Sequence, residues 1–429
     1  MAIVLVKSKE ISPARVAAFN ILQQVENGAF SSVLLASQES NLQPLDRALC
    51  HELVLGVLRW QLFLDKIVEH FSKRRVDSLD AAVRIALRLG LYQLRFLTRV
   101  PASAAVNESV SLVRAARLSS ATTFVNAVLR RAVREAEYDP VANISDPLEK
   151  MAVQTSHPSW LIERWAKSFG VEEAEAFARA NNTVPPTAFR VVANRASQSE
   201  ILSRLSAAGA ALESSDIVNG AWRVSGATSL LREMSAAGEI YLQDEASQLV
   251  ADAMEVKRGE RVLDLCAAPG GKTTLMADRV GDYATIVAAD RSATRMATVN
   301  STMQLHELKS IRPMILDATE RLPFERESFD RVLVDAPCSG TGTLRANPEI
   351  RWRLAPKDFQ NFAEQQKRIL SRAVEVLKPG GRLVYSTCSV EREENEEVIE
   401  SIDLKPIKTL RTWPQHEGTD GFFISILEK

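Results

Sequence analysis

The chain has 429 residues, 46% of them hydrophobic and 25% charged, with a formal net charge of −1. These are values of a soluble protein with two or three cored domains, and the even charge balance singles out no class of partner. Charge is unevenly spread, however: residues 1–140 sum to +5, residues 141–236 to −1 and residues 237–429 to −5, which suggests a front that meets polyanions and a back that does chemistry.

No run reaches 18 apolar residues, which excludes a membrane-spanning helix. The opening Met1–Lys7 lacks the basic start and long apolar core of a signal peptide. Cys50, Cys266, Cys338 and Cys388 form no CxxC pair, and the five histidines show no HxxxH spacing, which argues against a structural zinc site. A metal-free cytoplasmic monomer with reduced thiols is the expectation.

Residues 1–140 read as an all-α domain. Ser12-Pro13 is a helix start, and helical patterns follow near 13–26, 45–70, 79–99, 105–117 and 121–136. Arg84, Arg88, Arg95 and Arg99 fall within about 60° of arc at helical spacing. That stripe is either a solvated face or a ridge that tracks RNA phosphates. Pro13–Ala18, Leu45–Leu49, Pro101–Val110 and Phe124–Arg131 together resemble the NusB family. The resemblance implies RNA contact without catalysis.

Residues 141–236 read as a linker, a helix near 158–181 and a small α+β module that could orient RNA. Its strands are Ala188–Val192 and Ala221–Val224, with a helix at 198–208 between them. From 237 to 429 strands and helices alternate, which predicts a doubly wound parallel sheet of Rossmann type. Strands are expected at 261–266, 284–290, 311–316, 329–335, 381–387 and 421–427. Right-handed crossovers would bring every carboxyl end to one rim, with Asp264, Asp290, Asp317, Asp335, Cys338 and Cys388 on it.

The corner Asp264–Lys272 runs from strand through Pro269-Gly270-Gly271 into a helix, a place where backbone approaches a ligand. Its spacing matches neither the phosphate loop nor the dinucleotide fingerprint. Asp290 can accept both hydroxyls of a ribose, and Asp317 can meet the amino group of an adenine. S-adenosylmethionine (AdoMet) fits that rim best. Asp335-Ala336-Pro337-Cys338 and Ser386-Thr387-Cys388 each place a thiol beyond a strand, and the two strands should be neighbours about 5 Å apart. Two thiols and a carboxylate beside a methyl donor suit methylation of a pyrimidine C5, where a thiolate must first add at C6. Spacing does not say which cysteine adds.

At Gln243–Ser247, Asp264–Lys272, Asp335–Gly342, Asn347–Ile350, Tyr385–Ser389 and Asp420–Phe423 the chain resembles the RNA cytosine-C5 methyltransferases of the Nol1/Nop2/Sun family. The resemblance implies that Ala267, Ala268, Pro269, Gly270, Gly271, Lys272, Thr273, Asp290, Asp317 and Asp335 hold AdoMet or the base. It implies Cys388 as the nucleophile and Cys338 as the thiol assisting release. The NusB-like front matches the bacterial Sun/Fmu branch, which implies a cytidine of 16S rRNA as target. A tRNA substrate, or a non-enzymatic RNA-binding or antitermination module, are the competing readings. Leu344-Arg345-Ala346-Asn347 departs from the two adjacent basic residues usual there, which would weaken a phosphate contact. The acidic stretch Glu391–Glu397 reads as the first turn of a helix.

Overall fold

A computed structural model describes residues 11–37 and 41–429, so the Met1–Lys7 reading lies outside the described residues. The chain forms two compact units, residues 1–183 with 344–353, and residues 184–343 with 354–429. Among the described residues no helix is long and apolar enough to cross a membrane.

The first unit is helical: Pro13–Glu26, Ser31–Ser37, Pro44–Arg59, Gln61–Ser72, Ala81–Phe96, Ala102–Ala115, Thr122–Arg134, Pro147–Thr155, Ser159–Phe169 and Val171–Ala180. Phe19, Leu53, Leu64, Leu87, Val113 and Leu129 fill its core. Local signals set the ends. Pro13 occupies a first turn, Asp80 accepts the Ala82 N–H, and Gly170 at φ +91° separates two helices expected as one. Helix Pro147–Thr155 stands where a linker is expected; Asp146 caps it by accepting the Glu149 N–H at 2.7 Å, with Pro147 in its first turn.

The arginine stripe is an internal brace. Arg88 is buried and grips Asp65 through two hydrogen bonds of 2.7 Å and Glu26 at 3.0 Å. Arg84 pairs with Glu26 at 2.7 Å. Arg95 donates to the carbonyls of Ala136 and Tyr138. The helix ends at Phe96, so Arg99 is exposed beyond the stripe. Pairing with carboxylates at Arg84 and Arg88, and with backbone carbonyls at Arg95, is something helical spacing cannot register, and it engages three of the four within the unit.

Residues 344–353, expected in the C-terminal domain, complete the first unit. Glu349 accepts the Ser31 N–H at 2.8 Å. The Trp352 indole donates to the Leu58 carbonyl at 2.8 Å. Arg59 donates to the Arg345 carbonyl at 2.8 Å, and Arg345 itself is buried, a fastening and not a surface cation. Arg351 is fully buried and donates to the Ser156, Asn181 and Leu344 carbonyls and to Asn182 Oδ1.

The second unit opens with β1 (Thr187–Val191), β2 (Ala211–Ser214), β3 (Ala221–Ser225) and β4 (Ile240–Leu242), an antiparallel sheet of order β2-β3-β1-β4. A larger sheet follows: β5 (Arg261–Asp264), β6 (Thr285–Asp290), β7 (Ile311–Ile315), β8 (Phe329–Asp335), β9 (Leu377–Thr387), β10 (Pro406–Thr412) and β11 (Phe422–Glu428). Its order is β10-β11-β9-β8-β5-β6-β7. Successive side chains enter opposite cores, Val262, Leu333 and Val384 on one face and Leu263, Val332, Leu383 and Tyr385 on the other. β5 to β9 pair in parallel, as alternation predicts. β11 runs antiparallel to β9, which corrects the expectation that every strand ends on one rim. It is the amino end of β11, preceded by Asp420-Gly421, that reaches the rim beside Thr387.

Replacing Arg351 with alanine strands three buried carbonyls and the Asn182 Oδ1. We expect a loss of about 2–4 kcal/mol in stability, read as a lowered urea midpoint for the first unit, while Arg99→Ala leaves that midpoint unchanged.

Candidate active site

The site lies where β5, β6, β8 and β9 end. After Asp264 the chain turns through Leu265–Gly270 into the helix Gly271–Arg279. Neighbouring strands fasten the turn: Leu265 N–H donates to Leu333 at 3.0 Å and Ala267 N–H to Ala289 at 2.9 Å. Gly270 takes φ +106°, where a side chain is strained and a Cβ would press on Val299 at 3.3 Å. Thr274 caps the turn by donating to the Gly270 carbonyl at 2.8 Å.

Four carboxylates and two thiols line the rim. Buried Asp264 accepts the Thr273 hydroxyl at 2.7 Å, while its Oδ1 has no hydrogen-bond partner. Burial pushes its carboxyl up to about 7, against the opposing pull of Thr273. Asp290, at the end of β6, accepts the Ser292 N–H at 2.9 Å and pairs with Arg295 at 3.3 Å. Exposed Asp317 accepts both the Thr319 hydroxyl and N–H, which hold it below the usual carboxylate range. Asp335, at the end of β8, accepts Lys272 Nζ at 2.6 Å on one oxygen and the Ser386 hydroxyl at 2.7 Å on the other. Burial works against the Lys272 charge, but the Asp335 carboxylate outweighs it and raises the ammonium's pKa.

The β8–β9 register sets Asp335 opposite Ser386. Cys338 and Cys388 therefore leave adjacent strand ends, and their sulfurs stand 3.2 Å apart. The hydrogen bond to Cys388, reinforced by burial, pushes the Cys338 thiol up and keeps it protonated. Two cavities meet at Cys266, Ala268 and Asp335. One of about 210 Å³ is lined by Asp290, Asp317, Asp335, Cys338 and Cys388. The other, about 200 Å³, is lined by Tyr241, Gln243, Asp264, Gly271, Lys272 and Asp335. Lys272 and Thr273 reach Asp335 and Asp264, so their side chains support carboxylates as well as the turn. No group of three metal-ligating side chains occurs among the described residues.

Sequence reasoning missed Glu394. It is fully buried and bonded to Ser339 and Ser389, the residues that follow the two cysteines. Its stretch is a short 3₁₀ turn, Arg392–Glu394, before the helix Glu396–Ile399, so the expected first-turn role does not describe it. Only its place six residues after Cys388 could have singled it out.

A glycine corner on a mostly parallel sheet, carboxylates at the next strand ends and a thiol pair above them define a methyltransferase. Residues 251–406 match the model of the 16S rRNA methyltransferase RsmB/F, residues 12–134 the NusB family, and residues 157–230 a ferredoxin-like domain of RsmF/B-like methyltransferases. The ribosomal RNA small subunit methyltransferase B of Pseudomonas putida is 35% identical, 97% of this chain aligning with 98% of that one. Its Vibrio cholerae counterpart is 32% identical over 96% of both chains. The crystal structure of PH0851 superposes with a TM-score of 0.85 at 28% identity, covering 99% of this chain and 100% of that chain. The chain belongs to the RsmB/F methyltransferase family.

A carboxyl whose folded pKa is raised binds more protons folded than unfolded, so its contribution to stability falls as pH rises from about 4 to about 7. Asp264→Asn should flatten that fall in thermal melts between about pH 4 and 7, and an unchanged profile would place the titration elsewhere.

Proposed function

We propose that the chain methylates C5 of a cytidine in 16S rRNA, with AdoMet as donor, through a covalent bond between Cys388 and C6. The observation that carries this reading is the thiol pair, 3.2 Å apart, on a cavity shared with Asp290, Asp317 and Asp335. The names of the relatives support rRNA as substrate, and the helical first unit, with its likeness to NusB, would hold that RNA. The residues suit AdoMet: Asp264 keeps an unpaired buried oxygen beside a cavity floored by Gly271, and two carboxylates, Asp290 and Asp317, follow along the rim. Ala267–Thr273, Asp290 and Asp317 would hold it. When bound, it supplies an electrophilic methyl group.

The chain's own residues do the rest. Asp335 accepts from the cytosine N4 amino group, and the Lys272 ammonium beside it can share a proton with N3. The Cys388 thiolate adds at C6, which gives C5 enamine character and lets it accept a methyl group. Solvent water then takes the C5 proton as the C6–S bond breaks, the proton shared with N3 returns to Lys272, and Cys388 leaves as a thiolate to which the Cys338 thiol, at hydrogen-bond distance, donates.

Cys388→Ala is expected to abolish transfer of labelled methyl from AdoMet to 16S rRNA. Cys338→Ala should retain addition and accumulate a protein–RNA adduct that survives denaturing electrophoresis. The opposite pattern would exchange the two roles. Incorporation into tRNA and not into 16S rRNA would overturn the choice of substrate.

A further inference from the structure

The acidic stretch after Cys388 turns Glu394 inward, behind both cysteine loops, where it is fully buried. Its Oε1 accepts the hydroxyls of Ser339 and Ser389, the latter at 2.7 Å. Its Oε2 accepts the Ser339 N–H at 2.8 Å and the Gln366 amide at 3.0 Å. An ionised carboxylate offers roughly four acceptor sites and no donor, so these donors saturate it. Ser339 directly follows Cys338, Ser389 directly follows Cys388, and the two hydroxyls lie 3.1 Å apart. One buried carboxylate thus clasps the residue after each thiol.

The clasp is asymmetric. On the Cys388 side Thr387 is laddered to Phe423 and donates to Asn395 at 2.5 Å, and Asn395 donates to the Ser389 carbonyl at 2.9 Å. On the Cys338 side Ser339 lies beyond the end of β8, and both its N–H and its hydroxyl go to Glu394. Loss of the carboxylate therefore loosens Cys338 more than Cys388.

We infer that Glu394 is a positioning residue that sets the separation of the two thiols, and with it the balance between adduct formation and release. This rests on the reading of Cys388 as nucleophile and Cys338 as releasing thiol. The test compares the full-length wild type with Glu394→Ala, Glu394→Gln, Ser339→Ala and Cys338→Ala on naked 16S rRNA. Turnover, AdoMet affinity by calorimetry and covalent adduct on denaturing gels are measured for each. Glu394→Ala should lower kcat roughly ten- to a hundredfold, the size expected of a small misplacement of a reacting group. Its AdoMet affinity should stay at the wild-type value, and its adduct fraction should rise toward that of Cys338→Ala.

Glu394→Gln should recover most of the rate. Its carbonyl can keep the Ser339 N–H and Gln366, while the serine hydroxyls turn to accept from its amide. Ser339→Ala keeps the carboxylate and should enrich adduct to a smaller degree, which carries the test should Glu394→Ala fail to fold. Wild-type adduct fractions in both Glu394→Ala and Ser339→Ala would overturn the inference. So would a parallel loss of turnover and AdoMet affinity in Glu394→Ala without adduct. Absence of adduct in Cys338→Ala would instead overturn the assignment of the thiols, on which the inference stands.

Discussion

Parallel pairing of β8 with β9 is the constraint on which the site depends. Neighbouring strands are held about 4.8 Å apart by their hydrogen bonds, so whatever follows their carboxyl ends is brought within reach of one planar ring. The register puts Asp335 beside Ser386, and contacts beyond the ladder extend it. Ala336 N–H donates to the Ser386 carbonyl at 2.8 Å, and Gly342 N–H to the Cys388 carbonyl at 2.9 Å. A slip of one residue would turn Tyr385 and Val384 to the wrong cores and draw the thiols apart. Core packing therefore enforces the sulfur–sulfur distance from well outside the cavity.

Around that frame, carboxylates are told apart by what donates to them. Asp335 has an ammonium and a hydroxyl, and stays an acceptor beside the thiols. Asp264 has the Thr273 hydroxyl, the Cys266 N–H and the nearby Lys272 charge, which together do not offset its burial. Glu394 has only neutral donors, enough to fill its acceptor sites. Each arrangement meets the cost of removing a carboxylate from water in a different way, and three similar side chains are thereby suited to different tasks.

The loop after Cys338 carries a second consequence of topology. Thr341–Thr343 forms a short 3₁₀ turn in the second unit, and the next ten residues, 344–353, are part of the first. There Arg351 fills a place among backbone carbonyls that would otherwise be buried without donors. In the helix Ala81–Phe96, likewise, the arginines serve carboxylates and carbonyls of their own unit. Charge on a helical face thus has two physical uses, and only the neighbours across the core distinguish them.

Local and periodic features were legible in the chain itself. Alternating apolar strands, the Pro269-Gly270-Gly271 break, the Ser12-Pro13 helix start, and the placing of Asp290, Asp335, Cys338 and Cys388 at or just past strand ends all depend on residues within a few positions of one another. What tertiary structure alone decided is non-local. The reversed direction of β11, the transfer of residues 344–353 to the helical unit, the pairing of Arg88 with Asp65 and the inward turn of Glu394 each join residues far apart in sequence or hidden behind a loop. Periodicity reports which face of an element is apolar, but a buried charge is placed by the partner it meets, and that partner is known only once the chain has folded.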